Sequence, residues 1–274
     1  MKKLLALMLT AVMLLSVCAF AQADALSDLQ AKGKIRIGAN IEFPPYEFYY
    51  ADPETGVEEI AGFDMALARG IGEELGLEIE IVDQAFAGLI TALNAGDVDM
   101  LISGLAVKPE RQEVVDFSIP YFAGEQIMLM TRENADKLKT VEDMKGKRVG
   151  AQMGSLQAQI LEEQFPDSEG FLIGEPSILA LDLVQGNIDG WLITDLVAKQ
   201  YIAAYADKVE LVICDVPVVY DNTAGIAVAV AKGDNASLLE IINAYITRVK
   251  EDGTFDSWVD TAAAQAASLL ETAE

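Results

Sequence analysis

The sequence predicts an α/β protein of two lobes, built on mainly parallel sheets flanked by helices. Short β-branched runs alternate with longer helical patterns from Lys34 onward, the signature of βα units. The 274 residues leave room for one large domain or two ordinary ones, and a chain of that size buries a sufficient core. The halves also rhyme: Gly96-Asp97-Val98-Asp99-Met100-Leu101-Ile102-Ser103 resembles Gly186-Asn187-Ile188-Asp189-Gly190-Trp191-Leu192-Ile193, each a helix end, a glycine turn and a strand. Such similarity also recurs wherever helices feed parallel strands, so the rhyme alone leaves the equivalence of the two segments open.

At the N-terminus, Lys2 and Lys3 precede an apolar run from Leu4 to Val17, followed by the small residues Ala19, Ala21 and Ala23. This is the layout of a secretory signal peptide over residues 1–23, with Ala21 and Ala25 as neighbouring cleavage positions. The run is shorter than the ~20 residues of a spanning helix. An exported protein, periplasmic or at the cell surface, is expected. A lipid anchor through Cys18 is the alternative, against which Val17 is bulky for the preceding position.

Strands are expected at Ile35 to Ile37, Glu78 to Val82, Asp99 to Ser103, Gln126 to Thr131, Arg148 to Ala151 and Gly225 to Ala231. Helices are expected from Phe63 to Leu75, closed by Gly76, from Ala87 to Gly96, from Leu238 to Lys250 and after Asp252-Gly253-Thr254-Phe255. Thr140-Val141-Glu142-Asp143 has the spacing of a capping box.

Composition narrows the chemistry. The net charge of −25 disfavours nucleic acid and anionic lipid as partners. Histidine is absent, which removes the commonest general base and metal ligand. Of the two cysteines, Cys18 leaves with the leader, so Cys214 can form no intramolecular disulfide and no thiolate zinc site. No metal or cofactor is expected.

Ligands of open α/β sheets bind beyond the carboxyl ends of strands. Four segments hold such places: Asn40 to Phe48, Gln84 to Ala87, Ser103 to Arg111 and Gln152 to Gln157. Pro109 suits the first turn of a helix and sets Arg111 in that turn, where a cation opposes the helix dipole and a bound carboxylate would relieve it. The guanidinium offers a planar fork, and Gly104 lets the Ser103-Gly104-Leu105-Ala106 backbone approach closely. A surface pairing of Arg111 with Glu110 or Glu113 accounts for the same spacing. Phe43 and Phe86 follow strands and suit the walls of a slot or the core. Ser155 reads as a helix N-cap, with Gly154 permitting close approach.

These segments resemble bacterial extracellular solute-binding proteins of family 3, the amino-acid receptors of ABC importers. The resemblance rests on Phe43-Pro44-Pro45-Tyr46-Glu47-Phe48, Gly62-Phe63-Asp64-Met65, Gly96-Asp97-Val98-Asp99, Pro109-Glu110-Arg111-Gln112, Asp116-Phe117-Ser118-Ile119-Pro120-Tyr121 and Asp252-Gly253-Thr254-Phe255. It implies a two-lobed periplasmic-binding-protein-like fold with a ligand cleft between the lobes. The chain would cross twice, near Phe122 to Gln126 and near Val218 to Thr223. Residues 24–122 and 223–274 would then form a discontinuous first lobe and residues 123–222 the second.

By the same resemblance Phe43 and Phe86 are the aromatic walls, and Arg111 meets the ligand carboxylate. Ser103, Gly104 and Ala106 lie on the adjoining contact loop, and Ser155 and Leu156 supply contacts from the second lobe. Asn40, Glu42, Glu47 and Gln157 are candidates to read the ligand side chain. Two positions depart from the pattern that holds an α-amino group: Ala106 stands for a hydroxyl residue, and Thr194 for an acidic one, with Asp195 a residue late. A monomer is implied, delivering a small carboxylate-bearing ligand to the membrane permease of an ABC importer. The alternative is a secreted dehydratase-like enzyme on the same scaffold, with Glu42 or Asp195 as acid or base.

Overall fold

A computed structural model describes residues 24–52, 55–220 and 225–271. Cys18, the expected leader and part of the second expected crossing lie outside them. Helix α1 (Ala25–Lys32) is capped by the Asp24 side chain, which accepts from the Ser27 N–H. Strand β1 (Lys34–Ala39) is followed by β2 (Glu42–Phe43), β3 (Glu47–Ala51) and β4 (Glu58–Ala61). Helix α2 (Phe63–Leu75) buries Phe63, Leu67, Ile71 and Leu75, one residue per turn, and ends at Gly76 in the left-handed region. Then come β5 (Glu78–Asp83), α3 (Leu89–Ala95), β6 (Met100–Leu101), the single turn α4 (Pro109–Gln112) and β7 (Val115–Phe117).

A second series begins with β8 (Gln126–Thr131), α5 (Arg132–Lys137), β9 (Arg148–Gln152) and α6 (Leu156–Gln164). It continues through β10 (Glu169–Ile173), α7 (Pro176–Val184), β11 (Gly190–Thr194), α8 (Asp195–Ala204) and β12 (Leu211–Ile213). The chain closes with β13 (Ala229–Ala231), α9 (Ala236–Glu251) and α10 (Thr254–Glu271). No helix of the described residues is long and apolar enough to cross a membrane.

Two five-stranded sheets result, ordered β5-β1-β6-β13-β7 and β10-β9-β11-β8-β12. In the first, β1 is parallel to β5 and β6, while β13 is antiparallel to both β6 and β7. In the second, β9 is parallel to β10 and β11, while β8 is antiparallel to both β11 and β12. Each sheet therefore has one reversed strand, in the fourth place, and the expectation of mainly parallel sheets holds. The reversed strands are the first ones laid down after each segment that leads from one sheet to the other.

The rhyme between the halves has a structural counterpart. Arg36, the third residue of β1, grips Asp99 through its backbone N–H at 3.0 Å and its Nε at 2.9 Å, while the Asp99 N–H donates to the Arg36 carbonyl at 2.8 Å. Arg148 opens β9 and repeats this with Asp189 at 2.9, 3.1 and 2.7 Å. Desolvation opposes ionisation of both carboxyl groups, yet the arginine hydrogen bonds outweigh it and lower both, Asp99 to about 2.

Three readings change in extent. The strand expected from Asp99 to Ser103 is only β6, and that from Gly225 to Ala231 only β13, because Ile226 makes isolated bridges to Ala106 and Phe122. Thr140 and Asp143 exchange the hydrogen bonds of a capping box, but only a 3₁₀ turn (Glu142–Met144) follows. The antiparallel sheet β2-β3-β4 was not foreseen, since β2 is too short to show a period and Pro44 and Pro45 interrupt it.

Candidate functional site

The carboxyl ends of β1, β5 and β6 face those of β9 and β11 across a cavity. From the first lobe Asn40, Phe43 and Glu47 line it, with Phe86 after β5 and Ser103, Gly104, Ala106 and Arg111 after β6. From the second lobe come Ser155, Leu156 and Gln157 at the start of α6, and Thr194 at the end of β11. All four segments selected from the sequence thus converge. Asp195 stands outside the cavity. It begins α8, where its carboxylate accepts from the Glu125 N–H at 3.2 Å and pairs with Lys199 at 2.8 Å. Glu42 does not line the cavity either; its carboxylate accepts from Ser177 Oγ of the other lobe at 3.3 Å.

Arg111 is 6% exposed. Its Nη1 donates to the Ala106 carbonyl at 2.8 Å and its Nη2 to the Gly154 carbonyl at 3.0 Å, so it spans both lobes. The Phe86 ring lies 5.7 Å from the guanidinium carbon. Among the described residues no carboxylate pairs with it, because Glu110 is taken by Lys108 at 3.0 Å. Burial pulls its pKa down to about 10, only partly offset by Glu110 and Tyr220. The surface pairing left open by the sequence is therefore not made. Since α4 is a single turn, the helix dipole adds little; desolvation is what makes this cation seek an anion.

The floor is acidic and internally bonded. Ser103 Oγ donates to Glu47 Oε1 at 2.6 Å and accepts from the Asn40 N–H at 3.0 Å. Beneath it, Asp64 Oδ2 accepts from the Gly104 N–H at 2.7 Å and from the Tyr121 hydroxyl at 2.8 Å. Glu47 Oε2 and Asp64 Oδ1 find no such donor, and the two buried carboxyl groups lie near enough for each to disfavour a second charge beside it. Burial first, then the mutual repulsion, pushes Glu47 well above the usual carboxylate range; burial raises Asp64 to about 7.

The walls are amide-rich. Gln152 Nε2 donates to Asn40 Oδ1 at 2.9 Å, joining the lobes, and to the Gly174 carbonyl at 3.0 Å. Gln157 Nε2 donates to Gln126 Oε1 at 2.7 Å. Ser155 caps α6 as expected, its Oγ accepting from the Ala158 N–H at 3.1 Å. Thr194 lines the cavity and is buried.

Tyr46 and Gln152 lay inside the selected segments without being nominated, and sequence reasoning missed Gly124 and Gln126, together with Tyr220, Gly225 and Ile226 near the return segment. Gln152 was within reach, since it ends β9, a parallel strand of the kind that aims at ligands. The others carry no local pattern that marks them.

Two lobes, each a sheet with one reversed strand, closing over a cavity at the strand ends: these features define a ligand-binding protein of the two-lobed α/β class. The match to Bacterial extracellular solute-binding proteins, family 3, runs over residues 35–261, and the chain belongs to that family. It is 30% identical over 260 residues to the arginine-binding extracellular protein ArtP of Bacillus subtilis, covering 93% of this chain and 96% of that one. It is 29% identical to ABC transporter arginine-binding protein 1 of Escherichia coli, covering 83% and 91%. Among solved structures it resembles an amino acid ABC transporter substrate-binding protein from Streptococcus pneumoniae bound to L-arginine, with a TM-score of 0.81, 27% identity, and 88% and 98% coverage.

Proposed function

We propose that this receptor captures an amino acid by closing its two lobes, and that the closed form is what the permease of an ABC importer recognises. The observation that carries the reading is Arg111: a buried guanidinium with no carboxylate partner among the described residues, touching both lobes at the cavity wall. The ligand carboxylate replaces the missing anion, and Phe43 and Phe86 flank it. Ser103, Gly104, Ala106, Ser155, Leu156 and Thr194 complete the enclosure, with Asn40 beside the ligand side chain. Asp195 is not assigned to the site.

The sheet memberships support a first lobe of residues 24–122 and 223–274 and a second of 123–222. Membership of an extracellular family supports export to the periplasm or cell surface behind the leader of residues 1–23. We take the receptor to act as a monomer that returns its ligand chemically unchanged. The dehydratase-like alternative loses ground because Glu42 and Asp195, its nominated acid and base, do not line the cavity.

The test is calorimetric titration of the purified protein and its Arg111→Ala variant with the standard amino acids. Loss of a buried charge pair of roughly 3 kcal/mol weakens binding more than about 100-fold. An Arg111→Ala variant that binds as tightly as the parent would remove the anchor from the proposal.

A further inference from the structure

The charges around the cavity limit what it can hold. Among its described lining residues Arg111 is the only cation and Glu47 the only carboxyl group. Glu47 is not a free carboxylate. It is 1% exposed and neighbours Asp64 at 0% exposure, and two carboxylates side by side in one desolvated pocket repel each other strongly enough that one stays protonated. The pair therefore offers a ligand at most one negative charge. Ala106 and Thr194 add none, and Asp195 is spent on Lys199 outside the cavity.

An α-amino acid brings one carboxylate, which takes Arg111, and one ammonium, which takes the single charge of the carboxyl pair. Among the described lining residues no ion remains for the side chain. What remains is neutral and polar. With Gln152 Nε2 committed to Asn40 Oδ1 and the Gly174 carbonyl, Asn40 Nδ2 is left as a donor and Gln152 Oε1 as an acceptor, on two side chains already bonded to each other. One donor beside one acceptor complements an amide or ureido group, which presents the same two functions. A guanidinium has donors only and would carry an unpaired positive charge into the closed cavity.

We propose that this site selects amino acids with an uncharged, amide-type side chain, and that Asn40 and Gln152 read that group. The inference rests on the amino-acid reading above and departs from the arginine named for the relatives. A cationic ligand could be neutralised only by driving the remaining proton off Glu47 and Asp64. That loss is opposed by burial and by Asp83 nearby; the Tyr121 hydroxyl and the Gly104 N–H, which donate to Asp64, favour its ionised form, but neither supplies a positive charge.

Calorimetric titration with glutamine, citrulline, leucine and arginine, each in two buffers of different protonation enthalpy, tests this directly. Glutamine or citrulline should bind at least tenfold more tightly than arginine and leucine, with no net proton release. Arginine binding as tightly as glutamine overturns the side-chain assignment while leaving the Arg111 anchor intact. Leucine binding as tightly as glutamine overturns the role of the amides. Binding unaffected by Arg111→Ala overturns the underlying site and the inference with it. An Asn40→Asp variant supplies the missing charge, so its arginine-to-glutamine affinity ratio should rise at least tenfold; an unchanged ratio places Asn40 away from the side chain and sinks the proposal.

Discussion

A guanidinium at 6% exposure with two carbonyl partners and, among the described residues, no carboxylate keeps part of its desolvation cost uncompensated until an anion arrives. Its position was legible because Pro109 fixes where the turn begins and thus where Arg111 points from. Its burial was not, since that depends on Phe86 and Gly154, 25 and 43 residues away in the sequence. Glu47 and Asp64 were visible only as motif letters. Their carboxyl groups meet because β3 packs against the start of α2, and no spacing rule in the sequence reports it. The pair has a measurable consequence. The folded state holds protons that the unfolded chain releases above about pH 4, so stability should fall as pH rises from there toward 7, the value to which Asp64 is raised. The slope is at most about 1.4 kcal/mol per pH step for each retained proton. Asp64→Asn should flatten it, as read from urea unfolding at a series of pH values. Loss of the low folded pKa of Asp99 acts elsewhere, below about pH 4, as acid protonates it.

Helix α2 was read with its true ends because its apolar period, its length and Gly76 agree. The segment before it was not, and the reason is tertiary. At Gly62 the chain adopts φ 119°, and a Cβ there would collide with the carbonyl oxygen of Tyr46 and approach the Glu47 backbone. The glycine is the means by which α2 starts directly behind two residues of the cavity. Gly62→Ala should cost at least about 2 kcal/mol of stability through strain and collision, and should weaken ligand binding as Tyr46 and Glu47 are displaced. Thermal unfolding together with titration would measure both; a variant as stable as the parent would show that the backbone relaxes at no cost. The two Arg–Asp clamps were likewise half legible: the sequences rhyme at Asp99 and Asp189, but nothing in them names Arg36 and Arg148 as partners.

Among the described residues three side-chain hydrogen bonds run between the lobes, Asn40 with Gln152, Arg111 with the Gly154 carbonyl and Glu42 with Ser177, beside the packing of α10 on α8. They favour closure before any ligand binds, and ligand adds to them. Gln152→Ala should leave the ligand-free protein more open, seen as a larger radius of gyration in small-angle scattering, with a greater contraction on ligand addition. Equal radii with and without Gln152 would show that the amide pair does not hold the lobes. The two-lobed plan itself was legible in the alternation of strands and helices; the residues near the return segment were not, because they join the cavity from more than 100 positions beyond Arg111.

The reversed strand of the first sheet also fixes the order in which the molecule can be built. Strand β13, residues 229–231, lies between β6 and β7 and joins them, so this sheet stays in two pieces until that part of the chain has been synthesised. All five strands of the second sheet lie between residues 126 and 213. On a ribosome, which delivers the chain from its N-terminus, the sheet encoded second is the first that can be completed, and the sheet encoded first must wait for it.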